Sequence, residues 1–600
     1  MERLIDILGN ELKQAFEQAG LDQKYGVVVV SNRPDLCQYQ CNGAMAAAKE
    51  YHKAPFMIAE EVVAKLKDSK MFSKAEVVKP GFINLDVKDE FLSEYISNMT
   101  QETDFGVGKD GNPKTVVIDY GGPNVAKPLH VGHLRSAVIG ESLKRIKRFM
   151  GNKVIGDVHL GDWGLQMGLI MTELKKRKPE LVYFDESYTG EYPKEPPFTI
   201  SELEEIYPAA SAYSKEHPDF LEEAHQATFK IQQKVRGYYA LWKHIITVSV
   251  NDLKKNYEKL NVSFDLWNGE SDAQAYIPDM VDRLKKEGHA YISEGALVVD
   301  VREETDTKEI PPCMILKSDG ATLYNTTDLA TMVQRRQDHD PDEIMYVVDK
   351  RQELYFTQVF RCAKKTGILN DDVKLTFIGF GTMNGADGKP FKTRQGGVMR
   401  LETLMEEIDQ AVYDKIMENR ASEQIPEEQR VSEEEARKIS AVVGLAALKY
   451  GDLSNQAAKD YIFDIRRFAS FDGNTGPYIL YTAVRIKSIL AKAGIREAAV
   501  QYARNKTLLS PLNESERNLM LELTHYNEVL QNAYEENAPH KICQFIYDLS
   551  NAFNQFYHGN KIIAMDDAER KSSWLSLISV TYSVLEICLD LLGMTIPDRM

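Results

Sequence analysis

The sequence predicts a multidomain α/β fold in which a Rossmann-like parallel-sheet domain stands between an N-terminal α+β domain and an all-α C-terminal domain. Three observations predict it. A strand–helix–strand pattern runs from Thr115 to Leu160; short strands mix with helices before it; and from Ser432 to Met600 the pattern is almost wholly helical. With 43% hydrophobic and 27% charged residues the composition is that of a globular protein. Its 600 residues suffice for about three to five domains.

The elements follow in order. MERLIDILGNELKQAF reads as an amphipathic helix; its early acids and lack of a small-residue cleavage site distinguish it from a signal peptide. A strand from Tyr25 (YGVVVV), a helix (GAMAAAKEYHKA) and a strand around Gly81–Leu85 fill a first domain, residues 1–110. Lys109–Lys114 (KDGNPK) is a turn-rich linker. A strand then begins at Thr115 (TVVIDY). A helix follows, marked by Leu134, Val138, Leu143 and Ile146 at helical spacing and by Gly151 as C-cap. The strand KVIGDVHL completes a βαβ unit. Further strands at Ala296–Val301, Met345–Val348 and Lys374–Phe380 extend this second domain over residues 111–400, and a Pro/Glu/Tyr-rich stretch over 187–220 reads as an irregular surface insertion. Residues 401–470 form a helical connector. In it Ser422–Arg437 is acidic and exposed, and Ser432 with Glu435 makes a capping box opening a long helix. Residues 471–600 are a helical domain.

The net charge is −17, which argues against a broad nucleic-acid face. A local patch remains compatible, because exposed charges are screened beyond about 8 Å. Basic clusters occur at Lys144, Arg145, Lys147 and Arg148 and at Lys175–Lys178; solvated helix faces are their ordinary explanation. No run of about 18 apolar residues predicts a membrane span. Of the six cysteines only Cys37 and Cys41 lie close, with no second pair at zinc-ribbon spacing, so no metal site is expected and a reducing cytoplasm fits.

The sharpest chemical feature is Pro123-Asn124-Val125-Ala126-Lys127-Pro128-Leu129-His130-Val131-Gly132-His133, where a strand gives way to a helix. A helix N-terminus at the carboxyl edge of a parallel sheet suits phosphate, and two histidines one turn apart add donors on the same face. Gly132 leaves room for a base to approach the backbone. A metal pair or ordinary surface histidines are the alternatives, but His-x-x-His lacks the catalytic Glu of the zinc-protease pattern.

Pro123–Glu141 (PNVAKPLHVGHLRSAVIGE) resembles the first signature of the class I aminoacyl-tRNA synthetases, in the form found in the arginyl branch. His159–Gly168 (HLGDWGLQMG), Tyr324–Ala330 (YNTTDLA) and Arg351–Phe360 (RQELYFTQVF) are similar to blocks of that branch. Gly381–Leu401 resembles its second signature loop, Ser470–Ile486 the join to its anticodon-binding domain, and Asn32–Lys49 its N-terminal domain. The blocks occur in order over essentially the whole chain. In the second signature, where the class has Lys-Met-Ser-Lys-Ser, this chain has Lys389-Pro390-Phe391-Lys392-Thr393.

The resemblance implies a fold with a class I catalytic domain and an anticodon-binding C-terminal domain, and a ligase reaction. Arginine attacks the α-phosphate of ATP, giving arginyl-adenylate and pyrophosphate; a hydroxyl of the terminal tRNA adenosine then takes the arginyl group. It assigns ATP binding to His130, Gly132, His133, Gly161, Asp162, Gln166 and Lys392, and catalysis to His130, His133, Lys127, Lys389 and Lys392, cations suiting the charge that builds on pyrophosphate. Arginine would meet Asp328 and Glu270 through its guanidinium, which carboxylates hold best, with Tyr324 beside it and Asn124 and Gln352 in contact. Asp119, near the same strand end, is a candidate for the α-amino group. tRNA would touch Asn32, Asp35 and Gln38 in the N-terminal domain and Tyr557 near the end of an aromatic run (Phe545, Tyr547, Phe553, Phe556, Tyr557) that is otherwise core. The implied partners are tRNA(Arg), L-arginine and ATP with Mg2+, with no permanently bound cofactor, no membrane and a monomeric state. A cysteinyl enzyme of the same class would need a zinc–thiolate site, and a small nucleotidyltransferase would not need the helical C-terminal region.

Overall fold

The computed structural model describes residues 1–389, 399–420, 430–495, 499–504 and 506–600. They form two compact units: Met1–Lys109 with Phe471–Asp590 and Thr595–Met600, and Asp110–Ser470 with Leu591–Met594.

The first unit begins with α1 (Leu4–Gln18), which buries Leu4, Leu8, Leu12, Ala15 and Phe16 on one face. The strand expected from Tyr25 is only β1 (Val28–Val30), because Gln23–Tyr25 coils into a tight helical turn whose cap, Asp22, accepts from the Lys24 N–H. Then come β2 (Tyr39–Cys41), α2 (Gly43–Tyr51), α3 (Pro55–Lys65), β3 (Phe72–Val78), β4 (Phe82–Val87) and α4 (Asp89–Gln101). The strands pair antiparallel in the order β1-β2-β4-β3.

The second unit holds a parallel sheet of β5 (Thr115–Asp119), β6 (Lys153–Asp157), β10 (Glu343–Asp349) and β11 (Lys374–Phe380), in the order β11-β10-β5-β6. The chain leaves β5 for β6 through α5 (Val131–Phe149), and leaves β10 for β11, on the other side, through α13 (Glu353–Lys365). The direction of winding therefore reverses between β5 and β10, and a crevice opens at their carboxyl ends. Between β6 and β10 lie α6 (Leu165–Arg177), α7 (Ile200–Glu216), α8 (Pro218–Gln232), α9 (Arg236–Lys259), α10 (Glu270–Ala273), α11 (Ile277–Lys286), β7 (Ala290–Ser293), β8 (Ala296–Val299), β9 (Cys313–Leu316) and α12 (Tyr324–His339).

The strand predicted at Ala296–Val301 is β8, which belongs to a separate antiparallel sheet, β7-β8-β9. Two expectations are corrected here. The stretch expected to be irregular is mainly helical. Thr199 caps α7 by accepting from the Glu202 N–H at 3.3 Å, while Glu202 accepts from the Thr199 N–H at 2.8 Å. This capping box stands in the sequence as Thr-x-x-Glu, masked by prolines around it. Nor is the cluster at 144–148 a free basic face. Lys144 pairs with Glu141 at 2.8 Å and Lys147 with Glu343 at 3.4 Å, all four side chains being buried. A strand core on one side and helices on the other leave α5 almost no solvent, so its charges are neutralised in place.

A separate two-residue parallel pair, β12 (Met383–Asn384) with β13 (Tyr461–Ile462), and α14 (Leu401–Arg420), α15 (Glu433–Leu453) and α16 (Ile465–Phe468) complete this unit. Ser432 caps α15, accepting from the Glu435 N–H at 3.1 Å. The first unit resumes with α17 (Gly476–Lys492), α18 (Ala499–Arg504), α19 (Glu514–Thr524), α20 (Tyr526–Glu535), α21 (Pro539–Gly559) and α22 (Ala568–Leu591). Phe545, Phe553 and Phe556 of the aromatic run are buried in this helical core. By length and composition α22 qualifies as a membrane-spanning helix, contrary to the expectation of none, but most of its apolar window is packed inside the protein.

Candidate active site

The crevice is built on the ends of β5 and β6, where Asp119 and Asp157 face each other across the register. After β5 the chain is pinned residue by residue. Asn124 bridges to Gly161, with the Val125 N–H on the Gly161 carbonyl and the Gly161 N–H on the Pro123 carbonyl, both at 3.1 Å. The Ala126 N–H donates to Ser249 Oγ at 2.9 Å, and the Gln166 side-chain amide donates to the Val125 carbonyl. Gly161 leaves the Asn124 side chain its place, since a Cβ there would stand 2.1 Å from Asn124 Oδ1. The rigid strap delivers Lys127 and His130 to the start of α5.

His130 is the cap of α5. Its Nδ1 accepts from the Gly132 N–H at 3.0 Å, while His133 Nδ1 accepts from the His130 N–H at 3.2 Å. The rings lie 4.0 Å apart. Burial, then the Lys127 charge, pushes the His130 imidazole below its ordinary range; burial, then His130, pushes His133 down to about 3. Both rings are thus neutral. Since each Nδ1 is an acceptor, each proton sits on Nε2, which makes two N–H donors at a helix N-terminus. At Gly132 a Cβ would meet His130 Cε1 at 2.7 Å, so the glycine also leaves room for the capping ring.

The other wall is acidic. On α12, Tyr324, Asp328 and Arg335 recur at spacings of four and seven and share one face. Tyr324 is 73% exposed at the mouth. Asp328 is half-buried and accepts from the Tyr355 hydroxyl; burial raises its carboxyl above the ordinary range against the opposing effect of His159. Glu270 opens α10, and burial, reinforced by Asp162 and Asp328, pushes it up to about 7. Asp162 accepts from the Ser271 N–H at 2.9 Å and Oγ at 2.6 Å, and burial raises it to about 6. Gln352 is exposed in the turn after β10.

Deeper still, Arg335 Nη2 donates to Asp119 Oδ2 at 2.6 Å and to Asp157 Oδ2 at 2.7 Å. Asp119, the candidate for the α-amino group, thus shares one carboxylate oxygen, Oδ2, with a cation of the chain itself. Burial pushes Asp157 up, but the Arg335 charge outweighs it and the carboxyl lies below its ordinary value. Asp119, Asp157 and His159 could surround a metal ion, yet the positive charge an ion would bring is already supplied by Arg335. Sequence reasoning missed Arg335, although its helical spacing from Asp328 was visible. It also missed Asp157, Ser271 and Tyr355, whose roles depend on distant partners.

Of the second loop, Lys389 is described: exposed, with its N–H on Asp387 Oδ1 at 3.1 Å and its carbonyl accepting from the Gly385 N–H at 2.8 Å. Lys392, like Pro390, Phe391 and Arg394, lies outside the described residues. Beyond the loop the chain returns to the first signature: the Val131 N–H donates to the Met399 carbonyl at 3.0 Å and the Leu401 N–H to the Leu129 carbonyl at 2.9 Å. In the other unit Asn32 is exposed, Asp35 is paired with Arg33 at 2.6 Å, and Gln38 Oε1 accepts from the Val87 N–H at 2.9 Å. Tyr557 stacks on Phe553 and lies beneath Arg485, 5.2 Å from its ring centroid, beside Tyr481.

A nucleotide-type helix terminus and an acid pocket at one switch point agree with the comparisons with known proteins. The family described as "tRNA synthetases class I (R), catalytic domain" matches residues 96–465, which makes the chain a class I aminoacyl-tRNA synthetase. The "Arginyl tRNA synthetase N terminal domain" matches residues 2–87 and the "DALR anticodon binding domain" residues 479–600. Arginine–tRNA ligases of Agathobacter rectalis and Alkaliphilus oremlandii are 60% and 58% identical over the whole of both chains. The chain belongs to the arginyl-tRNA synthetase family and is an arginine–tRNA ligase. Solved arginyl-tRNA synthetases of Plasmodium falciparum (TM-score 0.81, 24% identity) and Thermus thermophilus (TM-score 0.74, 22% identity), each covered completely, share the fold.

Proposed function

We propose that the crevice activates L-arginine with ATP and passes it to the terminal adenosine of tRNA(Arg), with guanidinium and phosphates held at opposite walls. One observation carries the reading. Among the described residues no lysine or arginine forms an ion pair with Asp328 or Glu270, and burial raises both carboxyls. Such desolvated acids gain most from a planar, permanently charged guanidinium. Tyr324 packs beside it; Asn124 and Gln352, at neighbouring strand ends, meet the backbone of the amino acid.

On the other wall the Nε2–H groups of His130 and His133 receive the nucleotide phosphates at the helix N-terminus, and Gly132 keeps that cap open. Gly161, Asp162 and Gln166 line the nucleotide beside the strap, and ATP enters as its magnesium complex. When the arginine carboxylate attacks the α-phosphate, charge grows on the departing pyrophosphate. Lys127, Lys389 and Lys392 supply the positive charge, in a chain that lacks the Met-Ser of the class signature. No covalent enzyme intermediate is needed: reactants are aligned and charge is stabilised. The tRNA hydroxyl then attacks the adenylate carbonyl, releasing AMP.

For tRNA, Tyr557 with Arg485 and Tyr481 offers stacking faces of the kind splayed RNA bases occupy, and Asn32 with the Arg33–Asp35 pair and Gln38 offers polar contacts. One chain contains both walls, so a monomer suffices, and six buried cysteines, none in a disulfide, suit a reducing cytoplasm. The test is charging of total tRNA with each amino acid in turn: arginine alone is expected to be esterified. Charging by another amino acid, or none, would overturn the reading.

A further inference from the structure

The insertion helix α7 reaches the nucleotide wall through two side chains on one face. Tyr207 places its ring 4.3 Å from Lys127 Nζ, and Glu204, one turn earlier, sets Oε2 3.0 Å from Arg400 Nη1. Both cations flank the histidine pair. Lys127 stands three residues before His130 in the first signature, and Arg400 lies in the returning segment hydrogen-bonded to Leu129–Val131. Neither α7 contact is incidental to a loose surface. Tyr207 packs against the small core of Leu169, Ala210, Phe220 and Ala224, so its ring is fixed from behind. Glu204 is nearly buried while Arg400 is half-exposed, so the carboxylate is the fixed partner there. Across the crevice mouth, Tyr207 is also an electrostatic neighbour of Tyr324.

We propose that Tyr207 is a positioning residue for amino-acid activation: its ring holds the Lys127 ammonium at the phosphate side of the crevice, and Glu204 restrains Arg400 beside it. The inference rests on the reading of Lys127 as a phosphate-facing cation. A lysine stem has four rotatable bonds, and an unrestrained ammonium spends most of its time elsewhere. A ring beneath it limits those excursions without neutralising the charge, which a carboxylate partner would do. The chain thereby has a fixed cation close to the histidines, independent of the loop carrying Lys389. It also has a reason to keep a helical insertion that supplies no signature residue.

The experiment is single-turnover arginylation by the full chain at saturating ATP, arginine and tRNA, with Tyr207→Leu, Tyr207→Phe, Lys127→Met and the double variant Lys127→Met/Tyr207→Leu. Tyr207→Leu should slow the step by roughly three- to tenfold, the range of one cation–π contact, with the KM for arginine unchanged. Tyr207→Phe, which keeps the ring, should retain the rate, and the double variant should be no slower than Lys127→Met. Should Tyr207→Leu fail to fold, Tyr207→Met, which is flexible enough to fill the same core, replaces it. A full rate in Tyr207→Leu, or losses that multiply in the double variant, would overturn the positioning role. A full rate in Lys127→Met would instead overturn the role of Lys127 itself, and the inference with it.

Discussion

The two walls of the crevice are both desolvated, and desolvation does opposite things to them. At the nucleotide wall it pushes His130 and His133 down, so that two imidazoles stay neutral and present N–H donors. At the amino-acid wall it pushes Asp328 and Glu270 up, so that two carboxyls stand poised for a cation. Burial disfavours charge in either case. In the proposed reading the nucleotide wall acts by directed hydrogen bonds and needs no charge on its imidazoles, while the amino-acid wall acts by charge and completes itself only when the substrate brings the opposite sign. Arg335 makes the contrast sharper, because it satisfies Asp119 and Asp157 internally and leaves Asp328 and Glu270 for the ligand.

The largest expected effect lies on the acidic wall. Asp328→Asn removes a charge that pairs with a desolvated guanidinium, and kcat/KM for arginine should fall by roughly 10²–10³-fold, the scale of breaking a buried charge pair. ATP affinity should change little; an equal loss for both substrates would show that the walls are not separate. Next comes His133→Ala, which deletes one donor and the partner of the His130 N–H. A fall in kcat of roughly 10²-fold is expected, with tRNA affinity nearly intact by filter binding. Normal turnover would remove the histidines from the phosphate site.

The smallest effect is one of pH. Glu270, raised to about 7, loses its charge as pH falls through that value. Arginine binding needs the charged form, so the KM for arginine should rise as pH drops from 8 to 6, by up to about tenfold per unit below 7. Glu270→Gln should flatten that limb. His133, near 3, is neutral throughout this window and contributes no limb of its own. A rise in KM that survives in Glu270→Gln would assign the titration to another group.

Much of this was legible in the sequence because it is local. The strand before Asp119, the helix opening at Val131 and the capping histidines follow from periodicity and from residues within a dozen positions of each other. Tyr324 and Asp328 are one helical turn apart. What was not legible depends on distant pairing. The pairing of Asp119 with Arg335 was invisible because the two lie 216 positions apart. Lys147 looked like part of a solvated basic face because its partner Glu343 is 196 positions away, and the local pair Lys144–Glu141 does not by itself reveal that the helix is buried. The insertion looked irregular because its prolines outweighed the Thr199–Glu202 box, and so the contact of Tyr207 with Lys127 was out of reach. The separate sheet that β8 joins was not legible, since a short apolar run does not state its partners.

The central claim is that Asp328 and Glu270 select a substrate by the charge of its guanidinium. It is tested most directly by calorimetric titration of the enzyme with L-arginine and with L-citrulline, which has nearly the same shape and a neutral ureido group. The account predicts that citrulline binds at least roughly 100-fold more weakly in the wild type, and that Asp328→Asn shrinks the difference by weakening arginine alone. Equal affinity for the two ligands in the wild type would contradict it.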